Sequence, residues 1–417
     1  MRSRRWLSSL SIAVVLVAVS ACGSDESGSG GASGTTTTVD LSVLGPKQPA
    51  TGSPIKVGLI VDGKSDALDS TSVMEAGKAT VEYANEHLGG VNGHPIELET
   101  CETGQTPTGA TTCAVRMIDA GVAMVITPLS AQDAAVVSGL KDSGIPYLTF
   151  LTATPSIVVN PNAFVLPNPF AAIAAPAAIA RERGIKKVGL VVIDVPATTG
   201  PISALAKPIF AKANVEFDMV NVSPQVADLT PQIQEAISNG DEMLVIGGSD
   251  QFAVSALKAM KQLGFEGDIM LAGGASATNV AQALPGELKG VTTVSPTTSD
   301  AANEDVKIYD AVMAKYAGDV ERIAVTPNGF AAVLGFVRGL TGAADAVDAA
   351  SITKALGSMP EPVDLPLGNG NTFQCGAKPV AFAPSICSVA VLQGTLDGDG
   401  QGHDFTTVDV SGLLVGG

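Results

Sequence analysis

Residues able to do chemistry are few in this chain, and their spacing suits holding a molecule better than breaking one. The histidines are His87, His94 and His403. The first two fall on a helix end and a turn, away from the strand ends where an α/β sheet keeps its working groups. No nucleophile–base pair can be assembled around them. GGSDQ (247–251) and GGASA (273–277) resemble a G-x-S-x-G elbow but break its spacing. GLIVDGKSD (58–66) fits neither a dinucleotide nor a phosphate loop. DGDGQGHD (397–404) reads like the first half of a calcium loop, but Val408 stands where the bidentate glutamate belongs, which leaves a surface turn. No enzyme, resident cofactor or metal site is expected.

What remains is a set of small hydroxyls between 122 and 154. Two apolar runs, VAMVIT and IPYLTF, flank a segment with helical spacing at Ala134, Val137 and Leu140. The pattern is strand, turn, helix, strand, turn. Both turns leave the carboxyl ends of neighbouring parallel strands. Ser130 lies in the first, and Thr152 and Thr154 in the second. Ser130 precedes a helix, so the N–H groups of Ala131 and Gln132 are expected to point at a bound polar group.

Those turns need sheets to hold them. A chain of 417 residues, 46% hydrophobic and 16% charged, is long enough for two cores. A buried strand at 55–61 (IKVGLIV) starts a βαβαβαβ series that ends in a proline-rich passage at 160–170. The rhythm restarts with helix 171–183 and strand 187–193 and runs to 294. Three helical stretches follow, near 303–317, 327–342 and 351–358. The last strand-like runs, within 371–393, flank a proline-containing loop and read as a hairpin.

Arg2, Arg4 and Arg5 precede an apolar stretch at 10–19, too short to remain as a spanning helix. It ends in Val19-Ser20-Ala21-Cys22, which resembles a bacterial lipobox. The resemblance implies cleavage before Cys22 and diacylation of its sulfur, a two-chain anchor. Gly/Ser/Thr-rich sequence to residue 54 reads as a tether. The net charge of −17 argues against nucleic acid as a partner. Four cysteines beyond Cys22 suggest disulfides in an exported chain. Cys101 ends a strand and Cys113 lies in the next helix, while Cys375 and Cys387 face each other across the expected hairpin. Four-thiolate metal binding lacks any C-x-x-C spacing.

The motifs IKVGLIV, GGVNGHPIELETCE, TPLSAQDA, IPYLTFLTATP and VGLVVIDVPATTG, with VIGGSD and IMLAGGAS after them, occur in an order that resembles the branched-chain amino-acid receptors of ABC importers. That resemblance implies a type I periplasmic-binding-protein fold: α/β, with two Rossmann-like lobes, parallel central sheets and a multi-crossing hinge. The expected organisation is a leader at 1–21 and a tether at 22–54. Lobe 1 would hold 55–164 plus 297–360, and lobe 2 would hold 165–296 plus 361–417. It implies an extracytoplasmic lipoprotein on the bacterial cell membrane that hands a small polar solute to a permease and its ATPase. A ligand-sensing receptor of the same fold is the alternative. The ligand-binding positions carried over are Ser130, Ala131, Gln132, Ala153 and Thr154 in lobe 1, with Thr199, Ser249, Asp250 and Gly274 in lobe 2. The second set departs from the family. Thr199 and Ser249 stand where aromatics would, and Gly273-Gly274-Ala275 where an acid pairs the ligand's ammonium. Weak or no binding of leucine, isoleucine and valine is expected, and a small neutral or carboxylate-bearing solute is favoured.

Overall fold

The computed structural model describes residues 39–414 except 65–68, 153, 195 and 274, with the side chains of residues 196–198 and 201 also left out. Cys22, Ala153 and Gly274 therefore lie outside the described residues, as do the leader and the first part of the tether.

The first half alternates strand and helix: β1 (Ile55–Val61), α1 (Thr71–His87), β2 (Ile96–Glu102), α2 (Pro107–Ala120) and β3 (Met124–Leu129). It continues with α3 (Asp133–Gly139), β4 (Tyr147–Leu151), α4 (Pro155–Val158) and β5 (Ala163–Val165). Its five strands lie in the order β2-β1-β3-β4-β5, all parallel. β1 and β3 are near-continuous apolar runs because both faces of a parallel sheet are covered. Thr106 caps α2 by accepting from the Gly109 N–H at 3.0 Å, and Pro107 at the first helical position costs no hydrogen bond.

The second half repeats the pattern with α5 (Ala171–Arg183), β6 (Lys187–Ile193), α6 (Pro196–Ala213), β7 (Glu216–Val222) and α7 (Thr230–Ser238). Then come β8 (Met243–Gly247), α8 (Asp250–Gln262), β9 (Asp268–Leu271), α9 (Ala277–Ala283) and β10 (Thr292–Ser295). The chain goes on through α10 (Glu304–Tyr316), α11 (Pro327–Gly339), α12 (Ala349–Leu356) and the short pair β11 (Val363–Asp364) and β12 (Thr372–Phe373). It ends with β13 (Ala390–Leu396), β14 (Gly402–Asp409) and α13 (Ser411–Leu414). The second sheet has the order β14-β13-β10-β9-β8-β6-β7. It is parallel from β7 to β10 and antiparallel beyond.

Three packed cores hold these sheets. One buries α1, α10 and α11 with β1 and β3. Another includes α7, α8 and one face of the second sheet. The third joins the first sheet to the second through α5, from Ile60 and Val125 to Val188 and Met243. Among the described residues no helix is long and apolar enough to cross a membrane.

Two expectations about the end of the chain change. The run at 390–396 does not pair with 372–373, because β13 is hydrogen-bonded to β10 and β14 while β12 pairs with β11. The terminal hairpin is β13–β14. Its turn is the DGDGQ stretch, where Asp397 Oδ1 accepts from the N–H groups of Asp399 and Gln401. Residues 361–388 also do not all go with the second sheet. Leu365, Leu367, Phe373, Cys375 and Cys387 pack in the core around α1 and α11. The reason is visible at β5: Val165 N donates to Ser385 O at 2.8 Å, and Cys387 N donates to Val165 O at 2.9 Å. The segment thus covers an open sheet edge. Both expected disulfides are present, Cys101–Cys113 from β2 to α2 and Cys375–Cys387 closing that edge-covering loop.

Candidate functional site

The carboxyl ends of β1, β2, β3 and β4 stand side by side, and each leads directly into a polar residue: Asp62, Thr103, Ser130 and Thr152. All four are buried, with Asp62 7% exposed and Ser130 6%. Asp62 is the centre of the arrangement. Its Oδ1 accepts from Ser130 Oγ at 2.6 Å and from Thr103 Oγ1 at 2.7 Å, and its Oδ2 accepts from the Ala131 N–H at 2.7 Å. Gln132 N–H donates to Ser130 Oγ at 2.9 Å. A second carboxylate, Asp133, opens α3 and is 3% exposed. Thr154 Oγ1 donates to its Oδ1 at 2.7 Å, and Thr152 Oγ1 donates to its Oδ2. Burial first, and then the charge of Asp133, pushes the neighbouring Tyr147 phenol above its ordinary value.

This crest brings Ser130, Ala131, Gln132 and Thr154 together as the sequence suggests, and changes what they do. The Ala131 N–H points at Asp62 and the Gln132 N–H at Ser130 Oγ, so neither is aimed at a guest. Asp62 fills, from within the chain, the shelf expected for a solute's carboxylate. A carboxylate-bearing solute would meet two buried anions there, and a like charge at close range in a low-dielectric site is unfavourable. Each carboxylate oxygen keeps lone-pair capacity beyond the donors it has, so the crest as built favours a guest with N–H or O–H groups.

The described second-half positions are each engaged within the chain. Ser249 is the N-cap of α8, its hydroxyl accepting from the Phe252 N–H at 3.4 Å. Asp250 accepts from the Ser276 N–H at 2.6 Å and from Asn279 Nδ2 at 2.7 Å, tying the start of α8 to the start of α9. It braces a loop and is not poised to replace the missing acid of the family pattern. Thr199 is buried near the start of α6 and lies 3.3 Å from Asp194 Oδ1. It also lines a cavity of about 630 Å³ between β6, α5 and α6.

Sequence reasoning missed Asp62 and Asp133 as the residues that hold the hydroxyls. Asp62 was legible as the residue right after a buried strand, since a charge there either reaches the ligand crevice or finds internal donors. The cavity had a weaker signal, the alanine-rich run AAIAAPAAIA of α5, in which Ile173 and Ile179 are the only large aliphatic side chains.

Residues 54–383 match the family model described as periplasmic binding protein. Among curated proteins, none is similar to this chain in sequence. Several solved structures share the fold. A branched-chain amino-acid ABC transporter ligand-binding protein from Burkholderia xenovorans superposes with a TM-score of 0.71 at 15% identity, covering 86% of this chain and 96% of that one. The closed leucine-, isoleucine-, valine-, threonine- and alanine-binding protein of Brucella ovis gives 0.69 at 14%, covering 88% and 97%. A fatty acid ABC transporter substrate-binding protein from Thermomonospora curvata gives 0.64 at 15%, covering 87% and 93%. With two α/β halves, a polar crest at the strand ends and a family match over most of its length, this chain belongs to the periplasmic binding proteins, a family of extracytoplasmic solute-binding proteins.

Proposed function

We propose that this chain is the solute-binding lipoprotein of an ABC importer. In this reading it is anchored to the bacterial cell membrane through Cys22 and delivers a small polar solute to a permease and its ATPase. The halves built on the two sheets act as lobes that close on the solute. The observation that carries the solute class is the crest: two buried carboxylates, Asp62 and Asp133, each held by hydroxyl donors at adjacent strand ends. Such a crest can accept hydrogen bonds from a polyol, an amide or an amine, and it supplies no cation for an acid. Of the described second-half set, Thr199 and Ser249 supply no aromatic wall, and Asp250 is engaged by the Ser276 N–H and Asn279 Nδ2. Weak binding of leucine, isoleucine and valine is therefore expected, since an unmatched buried ammonium or carboxylate costs several kcal/mol.

The test is a thermal-shift screen on refolded protein with polyols, amides, amines and amino acids, since a tight ligand raises Tm by mass action. Compounds rich in donors should stabilise the chain. Ser130→Ala and Thr154→Val should each weaken the best of them by about 1–3 kcal/mol, because the carboxylate that each hydroxyl positions would lose a donor. Stabilisation by simple carboxylates alone would sink the reading. For the anchor, Cys22→Ser should release the protein into soluble fractions, and a mutant still bound to membranes in high salt would count against it.

A further inference from the structure

The cavity under α6 has a chemistry unlike the crest. Its volume is about 630 Å³, in the range of small-molecule sites, and among the described residues Thr199 is the only polar side chain on its wall. β6 gives the floor through Val188, Leu190 and Val192, and α6 gives the roof through Ala206 and Phe210. The wall runs from Val188 to Ile193 along β6, five residue steps, or roughly 17 Å at the strand rise of ~3.3 Å per residue. It is thus long as well as apolar. A site without polar partners holds water poorly, and an unfilled cavity forfeits contacts along its whole lining. Any guest with buried N–H or C=O groups would leave them unmatched.

The cavity adjoins a second, polar groove of about 480 Å³ that shares Thr199 and Phe217 with it. Ser203 and Lys207 of α6, one helical turn apart, line that groove together with Asp218 and Asn221. Asp218 is already paired with Lys187 at 2.6 Å. Lys207 is exposed and is the cation of the groove's lining.

We propose that this pair of spaces binds a long-chain fatty acid, its alkyl chain along β6 in the cavity and its carboxylate beside Lys207 and Ser203. The elongated apolar space takes the chain, and the polar groove at its side takes the one charged end. The site stands apart from the crest and uses none of its residues, so each can fail without the other.

Calorimetry on the full chain, refolded to strip carried-over lipid, tests this with palmitate, butyrate and hexadecanol. Palmitate should bind and butyrate should not, because butyrate buries too few methylenes. Ala172→Phe, which places a ring at the α5 wall of the cavity, should weaken palmitate at least about tenfold, the scale set by displacing a few methylenes. Ala272→Leu, at the far wall, is a milder variant that covers the case in which the phenylalanine disturbs folding. Lys207→Gln should weaken palmitate and leave hexadecanol unchanged. Absence of palmitate binding overturns the proposal, as does wild-type affinity in both cavity-filling variants. Hexadecanol binding as tightly as palmitate overturns the assignment of the carboxylate to Lys207.

Discussion

Small residues line two helix pairs in this molecule, with opposite results. Where α1 crosses α11, glycines let backbone meet backbone. A Cβ on Gly329 would lie 2.1 Å from the Val73 carbonyl oxygen, and one on Gly77 would lie 2.7 Å from Leu59 Cδ2. At these glycines the helices sink into close contact with each other and with the first sheet. Where α5 and α6 cover β6, the small residues are mainly alanines. Most of the α5 alanines are packed in the core, and beside them a cavity remains, lined by Ala172, Ile173 and Pro176 of α5 and Ile202, Ala206 and Phe210 of α6. A run of small side chains therefore says little by itself. Glycine marks a place where backbones touch, and alanine without a large partner opposite marks a place where something else can enter. Buried carboxylates follow the same division. Asp62 in the first half is held by three donors, whereas neither oxygen of buried Asp241 in the second half has a hydrogen-bond partner.

The comparison breaks most easily at Gly329. Gly329→Val should cost about 3 kcal/mol or more, because the clash is with backbone and no side chain can move aside. Ala172→Leu, an enlargement of similar size in the other pair, should cost less than about 1 kcal/mol or stabilise, since this α5 residue is exposed and lines the cavity. Chemical denaturation of both variants decides the matter. Equal losses would mean that the space under α6 closes in solution.

The two carboxylates sharpen the contrast. Asp62→Ala would leave Ser130 Oγ, Thr103 Oγ1 and the Ala131 N–H without their acceptor, so a loss of about 2–3 kcal/mol is expected together with loss of solute binding. Full stability with impaired binding would show that water replaces the carboxylate. It would also show that the crest is less enclosed than its burial suggests.

How much of this could be read beforehand differs between the halves for a physical reason. The strands and helices of the first half announce themselves by long apolar runs and capped helices, as at IKVGLIV and Thr106-Pro107. The crest hydroxyls Ser130 and Thr154 were legible because turns at parallel strand ends have a known direction. Asp62 as their holder was not, since nothing in local spacing shows that a residue 68 positions earlier meets Ser130. The short β11 and β5 were missed because two or three residues carry no periodicity. The pairing of β13 with β10 depends on tertiary placement of a segment whose own alternation is satisfied by either partner. Cys375 and Cys387 were correctly paired although the hairpin expected around them is not there, because a twelve-residue separation allows closure by a loop as readily as by a ladder.

At Asp241 the expected change is a gain in stability, and its direction is set by pH. Burial, and next the charge of Asp218, raises its carboxyl to about 6, with Lys187 opposing. Gly189 leaves the space the carboxylate occupies, since a Cβ there would lie 2.5 Å from Oδ2. In the unfolded chain the group titrates near 3.8, so between that value and about 6 the folded state binds more protons and stability falls as pH rises. At pH 7 the ionised group is a net cost. Asp241→Asn removes the charge and keeps the shape, so it should stabilise the protein at pH 7 by about 1–2 kcal/mol, a figure reduced from the full shift to allow for screening by nearby solvent and Lys187. Near pH 4 the native carboxyl is already protonated, and the gain should vanish. Urea denaturation of both proteins at the two pH values reads this directly. A gain of the same size at pH 4 and pH 7 would trace it to the amide's own contacts, and the second half would then not carry an unrelieved charge.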